Sequence, residues 1–567
     1  MNGIGWRAAP VKVGVEVELP VASEADGHSL AVPGAFSHLL SAGGSSDGPV
    51  SALMLGGALI GLRDPSGMIS VDNGFNNLEA SLGPEPDLAA LDASAAAALD
   101  RIGAAVAAEG GMLVNLAEHP FQATDAGFYA RTRAPKPVYD YWNQTRGWVH
   151  ASGIDAKAHN SPSTDVEIAR GADAVNIVLG FSAAFIALFA NSPFENGAAT
   201  GFKENRLTLW PRMCGTAHAA RDRICFQPPA QPFNGLGAYL RWALGMDAPV
   251  PALPFGPADL APTSKIGGLV EINGTPSLRQ FLTRRQGWAG RLYGDSGAEV
   301  MVTPTAGHFA AMQSSNFLDA RLRFTFSPDH MPDPADLVAA IDDDDAIAAL
   351  MGACTRAVYL EGRAPGANLP DRDLIDRAGP AVAGSVVNAA GALQKGLLAN
   401  PDRALSAIDR HGWGRLMALR TAAIRDAMAA EVDGLTAAAL AAELVEIAAS
   451  GLDGADQRFL AYPDHVCRTG QSGADRAIAM VEAGHGSMDR RLRALVTARR
   501  HVPASLDSAS RRGAGLNGAG LNGAGLNGAG LNGAGLNGAG PDGAGPGVGV
   551  DASPARNDLP AHCSMVR

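Results

Sequence analysis

The segment Val13-Gly-Val-Glu-Val-Glu-Leu19 places two carboxylates two residues apart inside an apolar run. Successive side chains of a β-strand point to opposite faces. Val13, Val15, Val17 and Leu19 therefore share one face, and Gly14, Glu16 and Glu18 share the other. Adjacent carboxylates repel, so such a strand needs water, a cation or an arginine opposite it. The same alternation recurs three times. Asn77, Glu79 and Ser81 alternate with Leu78, Ala80 and Leu82; Asp155, Lys157 and His159 alternate with Ile154, Ala156 and Ala158. Asp319, Arg321, Arg323 and Thr325 alternate with Ala320, Leu322, Phe324 and Phe326. Each segment alone reads as a half-exposed strand with a solvated face. Together they predict one sheet with helices on its apolar face. The mixed charges of the other face suit a multiply charged ligand held with metal.

The same segments carry a resemblance to a known family. Gly14-Val-Glu16-Val-Glu18 is similar to the Gly-x-Glu-x-Glu strand of glutamate–cysteine ligases of the plant and proteobacterial type. Phe75-Asn-Asn-Leu-Glu79-Ala-Ser81 resembles that family's second glutamate strand. Ala190-Asn-Ser-Pro-Phe194, followed by Gly197, Gly201-Phe202, Arg206 and Trp210, matches a family block without a gap. Asp319-Ala-Arg321-Leu-Arg323 resembles a later family strand, and Arg468-Thr-Gly-Gln-Ser-Gly-Ala-Asp475 a C-terminal motif. The resemblance runs from about residue 11 to about residue 500.

The resemblance implies an α+β, glutamine-synthetase-like fold, a curved antiparallel sheet with a polar concave face and helices behind it. It implies an ATP-dependent carboxylate–amine ligase. The γ-carboxylate of glutamate is phosphorylated, and the amine of cysteine displaces phosphate to give γ-glutamylcysteine. Glu16, Glu18 and Glu79 are then the expected magnesium ligands, hard oxygen donors suited to neutralising ATP phosphates. Arg206 and Arg321 are the expected catalytic arginines, placed against the transferring phosphoryl or forking onto a substrate carboxylate. Lys157, His159, Asn160 and Arg323 are expected to touch substrate. One departure stands out. Where the family carries Val-Gln-Val-Asn, this chain reads Asp155-Ala-Lys157-Ala-His159-Asn160, and replacing neutral amides with charge points to a different acid or amine. Two alternatives follow: a related ligase with other substrates, and a non-catalytic binding protein on the same fold.

The chain of 567 residues is 47% hydrophobic and 18% charged, with a formal net charge of −12, ample for a large core. That acidic balance argues against nucleic acid or an anionic membrane as partner; the expected partners are small molecules, with homo-oligomerisation left open. Five scattered cysteines without metal spacing read as free thiols of a cytoplasmic protein, with a Cys214–Cys225 pair as the alternative. No signal peptide is visible. Histidines such as His119, His218 and His411 lack zinc spacing; His150 and His159 with a carboxylate are the best version of a metal-hydrolase site. A Gly-Lys-Ser/Thr phosphate loop is missing, so any ATP must bind on the sheet.

Residues 88–108 read as a helix, 174–190 as a buried central helix, and 227–262 as loops. Asp342–Asp345 read as the acidic first turn of a helix running to Tyr359. Residues 374–446 read as helical throughout, with a break at Asn400-Pro401. A catalytic domain is expected over residues 1–500. Residues 501–567, which repeat Gly-Ala-Gly-Leu-Asn five times from Gly513, read as a disordered tail.

Overall fold

A computed structural model describes residues 11–43, 50–214, 222–255, 268–294 and 297–503. Its centre is a nine-stranded antiparallel sheet. The strands are β1 (Val13–Ser23), β2 (Ser51–Leu55), β3 (Ala58–Asp64), β4 (Gly67–Val71), β5 (Asn77–Glu85), β6 (Gly111–Leu113), β7 (Asn160–Asp165), β8 (Ala320–Phe326) and β9 (Thr355–Gly362). They run in the order β8-β9-β7-β1-β5-β4-β3-β2, and β6 pairs with the end of β1.

The register explains the period-two patterns. Val17 lies opposite Ala80 and Leu19 opposite Leu78; Glu18 lies opposite Glu79, which in turn faces Ser70. Arg321 lies opposite Glu361, and Glu361 opposite Ser163. Cross-strand partners share a face, so one side of the sheet is valine, leucine and alanine and the other is carboxylate, arginine and hydroxyl. The apolar side packs against α1 (Leu88–Ala108), whose first turn is capped by Asp87, and against α4 (Pro380–Ala399). Between them in sequence lie α2 (Gly171–Gly180) and α3 (Ser182–Phe189), buried almost throughout. Further helices, α5 (Trp413–Asp426) and α6 (Ala437–Gly451), pack on α3.

The fold expectation holds for β1, β5 and β8, and the 88–108 helix has the expected bounds. Other expectations are corrected. Ile154–Ala156 is a single 3-10 turn, and Lys157 and His159 make only isolated bridges, to Glu118 and Gly366. Gly153 in a left-handed conformation starts that turn, and the strand begins at Asn160. The 174–190 helix is two helices bent by 49°. Within 227–255 lie a helix, Leu236–Ala243, and a strand, Leu253–Phe255, of a second four-stranded sheet. Asp343 caps a helix that ends at Cys354, because Thr355 and Val358-Tyr359-Leu360 enter β9. A hairpin, Glu431–Val432 with Leu435–Thr436, interrupts the 374–446 helices. The repeat tail, His218 and Cys563 lie outside the described residues. Cys214, Cys225, Cys354 and Cys467 are free thiols. Among the described residues no single helix is long and apolar enough to cross a membrane.

Candidate active site

The polar side of the sheet borders a cavity. Glu18, Asp72 and Asn73 line it, as do Lys157 and His159 and three arginines, Arg206, Arg321 and Arg363. Apolar lining comes from Tyr139, Trp142, Trp148, Trp210 and Phe317, with Ile154, Leu209 and Met213.

At the acidic end, oxygens of Glu18, Asp72 and Glu79 lie within 4.8 Å of one another, and all three residues are buried. Glu18 and Glu79 meet because their strands pair directly. Asp72 joins them from the turn after β4. Its carbonyl accepts from Lys136 Nζ, and from Tyr139 Oη at 3.2 Å, while Asn73 Nδ2 donates to its Oδ2 at 2.7 Å. Gly74 permits that turn: a Cβ there would stand 2.8 Å from the Thr132 carbonyl oxygen. Three buried carboxylates without a cation are mutually repulsive, so this donor set fits a hard divalent ion. Glu16 stands outside the group, facing Ser81 and Ser161 and near enough to Arg323 to interact with its charge.

His159 is tied into the same corner. Its backbone N–H donates to Glu18 Oε2 at 2.8 Å, its Nε2 lies 3.3 Å from Glu18 Oε1, and Ser161 Oγ is 2.7 Å from its Nδ1. Lys157 is clasped by Glu118 and, at 2.9 Å, by Glu195. Burial, opposed by Lys157, pushes the Glu118 carboxyl up to about 7. Asn160 leaves the candidate set. It lies opposite Val17, on the apolar face, and its amide donates to the Asn368 carbonyl at 2.9 Å.

At the basic end, Glu361 gathers three guanidiniums. Arg321 forks onto it at 3.0 and 2.9 Å, Arg363 Nη1 approaches to 2.8 Å, and Arg323 Nε to 3.7 Å. Burial, with Arg363 and Arg323 alongside, pulls Arg321 down to about 9 despite Glu361. Three buried cations against two carboxylates, Glu361 and Glu16, leave an excess of positive charge fit for an anion. Arg206 belongs to the Ala-Asn-Ser-Pro-Phe block, whose geometry now has a reason. Glu204 Oε2 accepts from Asn191 N at 2.8 Å and Ser192 Oγ at 3.2 Å, and Glu204 Oε1 takes Arg206 Nε at 2.8 Å. Arg206 Nη2 also donates to the Ala364 carbonyl at 2.9 Å.

Asp72, Arg363 and the aromatic wall are additions to the sequence reading. Among the described residues the group of metal-binding type holds no histidine. His150 instead sits among Tyr129, Tyr139, Trp142 and Trp148, where burial pulls it down to about 4.

Comparison with known proteins agrees with the sequence resemblance. The model of glutamate-cysteine ligase family 2 matches residues 12–248, which include Glu16, Glu18, Asp72, Glu79 and Arg206. Similar solved structures include the glutamate–cysteine ligase of Francisella tularensis in complex with AMP. That one is 13% identical, with 90% of this chain and 93% of that chain covered and a TM-score of 0.46. Another is the bifunctional glutathione synthetase of Pasteurella multocida, 10% identical, with 86% and 52% covered and a TM-score of 0.40. No curated protein sequence matches the chain.

Proposed function

We propose that this protein is an ATP-dependent carboxylate–amine ligase, with glutamate and cysteine as the first substrate pair to test. The observation that carries the reading is one cavity bordered by buried Glu18 and Asp72 and by Arg206, Arg321 and Arg363, within and beside the stretch that matches the ligase family. In the first step a carboxylate oxygen of the acid attacks the γ-phosphorus of ATP, giving an acyl phosphate and ADP. In the second, the neutral amine attacks the acyl carbon; a C–N bond forms, the C–O bond to phosphate breaks, and orthophosphate and a proton leave.

Arg206, Arg321 and Arg363 face the charge that develops on the transferring phosphoryl, where a fixed guanidinium is worth more than in water. Glu204 and Glu361 hold those arginines in place without adding a negative charge at the cavity surface. Glu18, Asp72 and Glu79 would hold magnesium, which when bound neutralises phosphate oxygens. His159, braced by Glu18 and Ser161, would take up the proton lost by the amine. Lys157, already paired with two glutamates, shapes the wall more than it adds charge. A related ligase acting on another amine is the second reading, favoured by the aromatic wall. The test is incubation with ATP, magnesium and pooled amino acids, with orthophosphate release and the mass of any new amide as readouts. ATP turnover that never depends on an acid and an amine would overturn the proposal.

A further inference from the structure

We infer that the acceptor amine of this ligase carries an aromatic or bulky apolar group, read by the half-buried rings of Trp210 and Phe317 with Trp142 and Trp148 packed behind them; the inference rests on the ligase reading above. These rings belong to a hydrophobic cluster separate from the main core. Aromatic residues make up 6% of the chain, yet three of its seven tryptophans line this one cavity. Trp210 and Phe317 are only half-buried and stack with centroids 4.4 Å apart and planes 17° apart. Behind that pair the buried Trp142 and Trp148, 6% and 1% exposed, pack 4.8 Å from each other and 6.2 and 5.9 Å from Phe317. Rings so placed bury a large apolar group and gain further from stacking on an aromatic one. A short side chain would leave Trp210 and Phe317 half-exposed.

Position assigns the wall to the amine. Trp210 follows Arg206 by four residues, and Arg363 holds its guanidinium 5.9 Å from the Phe317 ring centroid. Arg321 donates to the carbonyl of Asn316, the residue before Phe317. The rings thus sit beside the arginines that face the transferring phosphoryl. The base of ATP is separated from its γ-phosphorus by a ribose and two phosphates, whereas the amine must reach the acyl carbon joined to that phosphoryl. An apolar group at this end belongs to the acceptor.

The test uses the full chain with ATP, magnesium and a pool of carboxylic and amino acids including glutamate, and a panel of amines from cysteine and alanine to phenylalanine, phenethylamine and tryptamine. An aromatic member is expected to exceed cysteine in kcat/KM by about tenfold or more, the scale on which apolar pockets discriminate. Trp210→Ala, with Phe317→Leu as the milder variant, is expected to lower kcat/KM for that amine by about tenfold while the KM for ATP stays within about twofold. Preference for cysteine or another small amine overturns the inference. So does a rise in the KM for ATP with the amine KM unchanged, which would place the nucleotide base on the wall. Hydroxylamine, which traps acyl phosphates as hydroxamates, separates the two failures. Hydroxamate without aromatic preference sinks this inference alone, and no ATP-dependent product with any amine or hydroxylamine sinks the ligase reading with it.

Discussion

Replacing Asp72 with asparagine removes a charge and keeps the shape. The oxygens of Glu18, Asp72 and Glu79 lie within 4.8 Å of one another. Two like charges at that distance repel by roughly 3.5 kcal/mol at an effective dielectric constant of about 20, and Asp72 takes part in two such pairs. His159 against Glu18, and Lys136 on the Asp72 carbonyl, offset part of this. The expected net gain in stability without metal is about 1–3 kcal/mol. Magnesium reverses the order. A cation that binds the folded chain at 100 times its dissociation constant adds about 2.7 kcal/mol, and the variant forfeits most of that. Urea unfolding in EDTA and in excess magnesium reads both terms. Asp72→Asn should be the more stable protein in EDTA and the less stable in magnesium, with turnover lost. Glu16→Gln is the contrast: Glu16 lies outside the group and near Arg323, so its loss should lower stability in both buffers. An Asp72→Asn protein that is weaker than wild type in EDTA, or that keeps the full magnesium increment, refutes the grouping.

Arg206→Lys keeps the charge but loses the fork that reaches Glu204 and the Ala364 carbonyl together; kcat/KM should fall about 100-fold, and an unchanged rate would make Arg206 purely structural. Glu118 rises from 4.5 to about 7 through burial, against Lys157. Between those values the folded chain holds a proton that the unfolded chain has lost, so stability should fall as pH rises from 4.5 to 7 and then level off. Asp155, lifted to about 7 by burial, adds to the same slope. Glu118→Gln should flatten the urea midpoint between pH 5 and pH 8, and an undiminished slope would show that Glu118 is not its source. Arg499 is fully buried, with Nε 2.7 Å from Asp371 Oδ2 and Nη2 donating to Asn191 at 2.9 Å. Arg499→Met should cost about 3–5 kcal/mol of unfolding free energy, and a loss below 1 kcal/mol would show that the pair is dispensable.

Period-two alternation made Glu16, Glu18, Glu79 and Arg321 legible, because side chains in one strand share a face whatever surrounds it. It did not say which neighbour would complete the acidic group. Asp72 sits in a turn, where no periodicity ties a side chain to the sheet, and only the pairing of β4 with β5 brings it to Glu79. The aromatic wall was invisible for a similar reason: Trp142 and Trp148, Trp210, and Phe317 come from three separate stretches. The 154–159 reading failed because alternation over six residues also fits a 3-10 turn followed by two isolated bridges. Tyr359 was misplaced because the alanine-rich start of its helix outweighed Thr355 and the Val358-Tyr359-Leu360 run that follows. The Ala-Asn-Ser-Pro-Phe block was recognisable as a word, but its meaning, a cradle for Glu204 under Arg206, needed the fold.

The order of strands in the central sheet bears on how the protein is made. β1 leaves the ribosome well before one of its neighbours, β7, which begins at Asn160, and Glu361 and Arg363, on and just after the strand beyond β7, arrive some two hundred residues later still. Arg499, which pairs with Asp371, emerges later again. At about 5–20 residues per second, roughly half a minute or more of synthesis separates Glu16 from Arg499. During that time the acidic strand has no arginines beyond β7 and the sheet has an open edge, so nascent chains are expected to depend on chaperone cover more than a protein built from local contacts would.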